Sequence, residues 1–245
     1  NKILKVKFYI HEQNSIIGRS NKLFIKYTSK FFVNFDMEYK IDKIYERKIH
    51  IVGLPNSILL NKKDNDNKIY KTNTFNFFLY GGSQGSIFLL KFFEKLLDII
   101  DINLLKKINF IVQSPKSYES IVSNKLKSLN CDFIIKDFYP DVEKLLKITD
   151  IVISRAGAGT INDIIKFKIP SIIVPLSFAK DNHQYENALI LAKKGCAIIV
   201  NEEQYDLREI NKFIEGILFN KSTKAKIFDN FNKIKLNDAN KLILN

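Results

Sequence analysis

From residue 75 onward the sequence alternates short, nearly continuous apolar runs with longer runs of helical periodicity, and this alternation restricts the fold more than any other feature. The apolar runs predict strands over 75–80, 108–113, 132–136, 150–154, 171–174 and 197–200. Between and after them, helical spacing predicts helices over 86–100, 118–129, 142–148, 160–167, 183–194, 207–219 and 222–234. A strand whose residues are apolar on both faces must be covered on both faces. Alternation with crossover helices therefore makes the sheet parallel and doubly wound. In such sheets ligands bind beyond the C-terminal ends of the strands, so the loops that leave those ends carry the functional signal.

The first 60 residues are less regular. An alternating segment over 3–10 runs into HEQN, a helical stretch is expected over 21–31, and KIHIVGLP ends a strand at a Gly and a Pro. The polar run NKKDNDNKIYKTN, 61–73, has no periodicity and reads as an interdomain linker. No run reaches the ~18 apolar residues of a spanning helix, since the longest candidate, 87–100, is broken by Lys91, Glu94, Lys95 and Asp98. Any membrane contact is expected to be peripheral, and no signal peptide is visible.

Net charge is +13, carried by 35 lysines and only four arginines spread along the chain. A nucleic-acid binder concentrates Arg in a stripe with interleaved aromatics, so nucleic acid is not the expected partner, whereas an anionic membrane surface or a phosphorylated substrate is compatible. The two cysteines, Cys131 and Cys196, each open an apolar run and read as buried thiols of a reducing compartment. Asp64, Asn65 and Asp66 lie in the polar linker and read as solvated charge, and no His/Cys spacing suits a metal, so no metal and no cofactor is expected.

Two loops stand out. LYGGSQGS follows the strand over 75–80 and opens a helix, and SRAGAGT follows the strand over 150–154 and opens another. Each puts glycines where backbone N–H groups face an anion at a helix N-terminus. Neither has the Walker or GxGxxG spacing. A glycine turn of this kind is also ordinary packing, but two on one sheet point to a diphosphate-bearing ligand. A third loop, PLSFAKDNHQYENA, 175–188, collects Lys180, Asp181, Asn182, His183, Gln184 and Asn187. These groups either cap the following helix or hydrogen-bond sugar hydroxyls. Asp163, one turn into the helix that begins near Thr160, could accept from both hydroxyls of a ribose or simply favour the helix dipole.

HEQN at 11–14, GGSQGS at 81–86, SRAGAGTINDI at 154–164 and DNHQYENA at 181–188 occur in the order and rough spacing of the MurG family, which the chain resembles over nearly its whole length. That family moves N-acetylglucosamine (GlcNAc) from UDP-GlcNAc to the muramoyl 4-hydroxyl of undecaprenyl-linked lipid I, forming lipid II in peptidoglycan synthesis at the cytoplasmic face of the bacterial inner membrane. The resemblance implies an α/β fold of the GT-B type, two Rossmann-like doubly wound domains with the N-terminal one incomplete. The domain expectation is an acceptor-binding remnant over 1–60, the linker 61–73, a UDP-sugar-binding domain over 74–235 and a tail over 236–245.

Residue by residue, the resemblance assigns Asn14 to the donor from the N-terminal side, and Ser83 to the diphosphate within a phosphate loop that includes Gly81, Gly82, Gln84 and Gly85. It assigns Gly157, Ala158, Gly159, Thr160, Ile161 and Asn162 to the uridine and phosphates, the backbone of Tyr139 to uracil, and His183 and Gln184 to the sugar hydroxyls. Asp163 stands where the family has a longer glutamate on the ribose, and Ser57 where it has a phosphate-binding arginine. The family's N-terminal glycine-rich loop, with its His, has no counterpart before HEQN. The expectation is therefore an N-terminally incomplete copy that transfers no sugar alone, with its catalytic base unassigned. His11, His50 and His183 offer little replacement, since His11 follows a strand, His50 lies inside one and His183 faces the donor. Two other readings stay open: a noncatalytic UDP-sugar-binding subunit of a split transferase, and a UDP-GlcNAc epimerase on the same fold.

Overall fold

The computed structural model describes residues 6–55, 74–81 and 86–244. The linker 61–73, the tripeptide Asp64–Asp66, Ser57, Gly82, Ser83, Gln84 and Gly85 lie outside the described residues. Two parallel sheets are present. The first has three strands in the order β1-β2-β3, Tyr9–Glu12, Lys30–Val33 and Ile49–Ile51, joined by short helices α1 (Arg19–Phe24) and α2 (Lys43–Glu46). The second begins with β4 (Phe75–Tyr80), β5 (Ile108–Gln113) and β6 (Asp132–Lys136), and continues with β7 (Ile151–Ser154), β8 (Ser171–Ile173) and β9 (Ala197–Ile199). Its spatial order is β6-β5-β4-β7-β8-β9.

That order is the doubly wound one. From β4 the chain steps outward to β5 and β6 through α3 (Ile87–Leu97), α4 (Ile102–Leu105) and α5 (Lys116–Ser128). It then returns through α6 (Val142–Leu146) to β7 and steps the other way through α7 (Ala158–Phe167) and α8 (His183–Ala192). Right-handed crossovers in opposite directions put the two helix groups on opposite faces. In accord with this, α3 packs on α5, while α6, α7 and α8 pack in succession. Both faces being covered, Phe78, Ile111, Val152 and Ile153 are fully buried in the central strands. After β9 come α9 (Leu207–Phe219), α10 (Lys221–Asn232) and α11 (Ala239–Leu244). One complete Rossmann-like domain results, beside the smaller three-stranded sheet.

The strands of the large sheet fall where the apolar runs predict them, within one residue. The first 60 residues differ more. The helical stretch expected over 21–31 ends early: α1 and a 3-10 turn over Ile25–Tyr27 give way to β2, because Phe31 and Val33 are drawn fully into a core with Ile17 and Ile25. The first strand runs later than expected and takes in His11. α7 begins at Ala158 and not at Thr160, since Gly157, with extended backbone, serves as its N-cap. The expected C-terminal tail contains α11, whose Ala239 packs with Phe32 and Val52 of the smaller sheet. Just before α11, the Asn237 side chain donates to Ile51 O at 2.9 Å. Gly53, at φ +89°, lets the chain pass there, because a Cβ would lie 2.4 Å from Asn237 O.

Candidate functional site

The sequence order reverses between β4 and β7, so the turns that leave these two strands open side by side at the topological switch point. Register brings their ends level, Tyr80 opposite Ser154. Gly81 and Arg155 are the next residues of the two strands. Beyond them, the Ser86 hydroxyl N-caps α3, accepting from Leu89 N at 3.3 Å, whereas no side chain caps α7. The first-turn N–H groups of α7 therefore face the mouth of the switch point with the positive end of the helix dipole behind them. Gly159 is exposed there, and a Cβ on it would meet nothing within 4 Å. At the floor, the fully buried Ser154 Oγ has no hydrogen-bond partner among the described residues.

The turn before α7 is pinned from α8. Gln184 Oε1 accepts from Leu176 N at 3.0 Å and from Ala156 N at 3.4 Å, and Asn187 Nδ2 donates to Ala156 O at 3.0 Å. Residues 184 and 187 lie one turn apart on the helix, so both side chains reach the same residue, Ala156. Asn187 is fully buried, and its Oδ1 accepts from Ser15 N at 2.8 Å and Ser15 Oγ at 2.9 Å. Its Nδ2 also donates to Asn14 Oδ1 at 3.1 Å. The loop after β1 thus joins the loop after β7 through one amide. Glu12, itself buried, shapes that first loop by accepting from Asn14 N, Gly18 N and Asn21 Nδ2 at 2.8–3.0 Å.

Asp163 lies one turn inside α7. Burial pushes its carboxyl up from the ordinary 3.8 to about 6; Lys166 pulls it down and Glu143 adds to the rise. Tyr80, at the end of β4, is also raised, first by burial and then by the charge of Asp163, so the two groups share the wall of the switch point. On the β5–β6 side, Tyr139 is buried with its OH donating to Val112 O or Ile134 O, each at 3.2 Å, and its ring meets Phe78 edge-on at 5.8 Å.

The structure therefore gathers Asn14, Gly81, Gly157, Ala158, Gly159, Thr160, Asp163 and Gln184 around the C-terminal ends of β4 and β7, with Tyr139 beyond β5. Ile161 is fully buried with its N–H donating to Gly157 O, and the Asn162 side chain turns back to Ala158 O at 2.9 Å, so neither side chain is directed to the site. His183 begins α8. His11 Nε2 lies 2.8 Å from Gly53 O, and His50 stands on β3 beside Phe32. Sequence reasoning misses Arg155 and Glu202, whose pairing spans separate loops, and it leaves Asn187 between helix cap and sugar contact where the structure uses it as an internal tie. The polar run at 181–187, interrupted only by Tyr185, is the one local signal for that tie.

Residues 76–243 match the model of the glycosyltransferase family 28 C-terminal domain. Several similar proteins carry the description UDP-N-acetylglucosamine--N-acetylmuramyl-(pentapeptide) pyrophosphoryl-undecaprenol N-acetylglucosamine transferase. The protein from Rickettsia felis is 31% identical over 89% of this chain and 62% of its own. That from Pelagibacter ubique is 31% identical over 94% and 65%, and that from Thermosipho africanus 34% over 87% and 58%. The chain thus spans between 58% and 65% of the length of these relatives. Of solved structures, MurG from Acinetobacter baumannii superposes with a TM-score of 0.76 at 19% identity, over 99% of this chain and 68% of the other. A kitacinnamycin glycosyltransferase gives 0.63 at 12% identity, over 89% and 54%; both likenesses speak for the fold alone. With a family model covering the whole doubly wound sheet and the turns at its switch point, the chain belongs to the glycosyltransferase family 28 C-terminal domain family.

Proposed function

We propose that this chain forms the donor side of an inverting glycosyltransferase that moves GlcNAc from UDP-GlcNAc to the muramoyl 4-hydroxyl of lipid I, forming lipid II. The observation that carries the reading is the convergence of the turns after β4 and β7 at the switch point, with an uncapped helix N-terminus and the carboxylate of Asp163 one turn inside it. The diphosphate lies over the first-turn amides of α7, from Ala158 to Thr160, and the family resemblance assigns Gly81, Gly82, Ser83, Gln84 and Gly85 to the same diphosphate. Asp163 accepts from the ribose hydroxyls, and the backbone at Tyr139 meets uracil. Asn14, His183 and the Gln184 NH2 group meet the GlcNAc, the Gln184 carbonyl oxygen being committed to Ala156 and Leu176.

In the reaction the acceptor hydroxyl attacks the anomeric carbon as the bond to the diphosphate breaks, and negative charge builds on the departing UDP. Helix termini and loop amides fixed in advance stabilise that charge at no reorganisation cost. The acceptor half and the base come from the additional length that the relatives possess. No helix among the described residues is long and apolar enough to cross a membrane, and the net charge of +13 suits peripheral attachment to the anionic cytoplasmic face of the inner membrane.

Calorimetry tests the donor reading. UDP and UDP-GlcNAc are expected to bind one shared site on the folded chain and to displace each other. A folded sample that gives no binding heat with either, at several temperatures, overturns it. The transfer step is checked in a polypeptide that also carries the remaining length of the relatives, by β-linked disaccharide formation on a lipid-linked muramoyl acceptor.

A further inference from the structure

One charged residue of the central turn has no part in the donor reading. Arg155 follows β7 directly, and its side chain is only 15% exposed. Its Nη1 donates to Val174 O at 3.1 Å and Pro175 O at 3.4 Å, and its Nη2 donates to Ser86 Oγ at 2.8 Å. The Glu202 carboxylate, equally buried, pairs with the guanidinium, and the Phe88 ring lies under it at 5.8 Å. Ser177 Oγ donates to the other oxygen of Glu202 at 2.7 Å. Arg155 and these partners come from four different segments, those that follow β4, β7, β8 and β9.

Ser86 is the N-cap of α3, so the guanidinium fork links the start of α3 to the turn that starts α7. The planar fork reaches carbonyls, hydroxyl and carboxylate in fixed directions at once, which a lysine ammonium on a flexible stem does not do. Its charge is answered inside the protein by Glu202, and Nη1 and Nη2 already donate to Val174 O, Pro175 O and Ser86 Oγ. We infer that Arg155, braced by Glu202, is a positioning residue that sets the two helix entrances relative to each other and is not a ligand of the diphosphate. The inference rests on the donor-site reading above.

Two variants separate positioning from direct contact. Arg155→Lys keeps the charge and loses the fork; Glu202→Gln keeps Arg155 and removes its counter-charge. Affinities for UDP and for uridine are measured by NMR titration, well below each variant's melting temperature. Positioning predicts that Arg155→Lys weakens UDP about tenfold, the scale of one charge-assisted hydrogen bond, and Glu202→Gln about threefold, while uridine changes less than about twofold. Tighter UDP binding by Glu202→Gln together with near-normal binding by Arg155→Lys identifies a direct diphosphate ligand and overturns the inference. An unchanged ratio of UDP to uridine affinity in both, with only a lower melting temperature, identifies a purely structural brace and also overturns it. If Arg155→Lys does not fold, Ser86→Ala keeps the Arg155–Glu202 pair and cuts the link to α3. The same selective loss of UDP affinity is then expected, and an unchanged ratio counts against the inference. Wild-type protein that binds neither ligand defeats the donor-site reading and this inference with it; wild-type binding with unshifted ratios defeats this inference alone.

Discussion

The two sheets of this molecule are both parallel, yet they are held in different ways. In the six-stranded sheet, β5, β7 and β8 are buried along their full length, and the core of phenylalanine, leucine and isoleucine runs continuously from one helix layer to the other. In the three-stranded sheet only β2 is largely buried; β3 and, apart from Glu12, β1 stay half covered or exposed. That smaller unit leans on long-range polar ties instead. Asn187 holds its first loop, Lys48 Nζ donates to three carbonyls around Thr28, and α11 returns to cover Phe32 and Val52. The lesson is that burial carries the larger unit and tertiary ties carry the smaller one, with the candidate donor site built on the rigid unit and reached from the tethered one.

The contrast can be broken most strongly from the core side. Phe110→Ala empties a fully buried position between Phe77 and Phe93 and is expected to cost about 3–5 kcal/mol, read as a loss in urea-unfolding free energy. Next in size, Asn187→Ala leaves the Ser15 N–H and the Ala156 carbonyl without their partner and should cost about 2–3 kcal/mol. Hydrogen exchange sharpens this test: β1 and β2 are expected to open well before β4 and β5 in that variant, and equal protection of both sheets would refute the tethered picture.

A smaller effect concerns Asp163. Its folded carboxyl titrates at about 6 against an ordinary 3.8, so the folded chain holds the proton more tightly. The stabilisation linked to it is complete below about pH 4 and is lost as pH rises through about 6. If the ionised carboxylate receives ribose hydroxyls, uridine affinity moves the other way, rising with pH and levelling off above about 6. Asp163→Asn should flatten both profiles, and a uridine affinity independent of pH in the wild type removes Asp163 from the ribose. The smallest expected change is at Arg19, whose exposed pairing with Asp181 at 2.7 Å joins the two units: Arg19→Ala should alter stability by less than about 1 kcal/mol.

The same division decides what could be read from the sequence. FNFFLY, INFIVQ and IVIS are apolar on both faces because both faces are covered, so the large sheet and the loops at its strand ends are legible as strings. KFFV, 30–33, follows a helical run with compatible spacing, and only burial against Ile17 and Ile25 makes it a strand. AGAG looks like a loop until Gly157 is seen to cap a helix that starts inside it. The ties that fix the site were out of reach for a different reason: Ser15 and Asn187 lie 172 residues apart, and Arg155 and Ser86 lie 69 apart. Local pattern reports which residues are apolar or polar; it does not report which buried polar group will find which partner.

Hydrogen–deuterium exchange with and without UDP tests the central claim most directly, that the turns after β4 and β7 make one nucleotide diphosphate site. UDP is expected to slow exchange together in the first turn of α7, around 158–163, and at the start of α3, around 86–90, with little change in β1 to β3. Protection confined to the smaller sheet, or no protection at saturating UDP, would contradict the account.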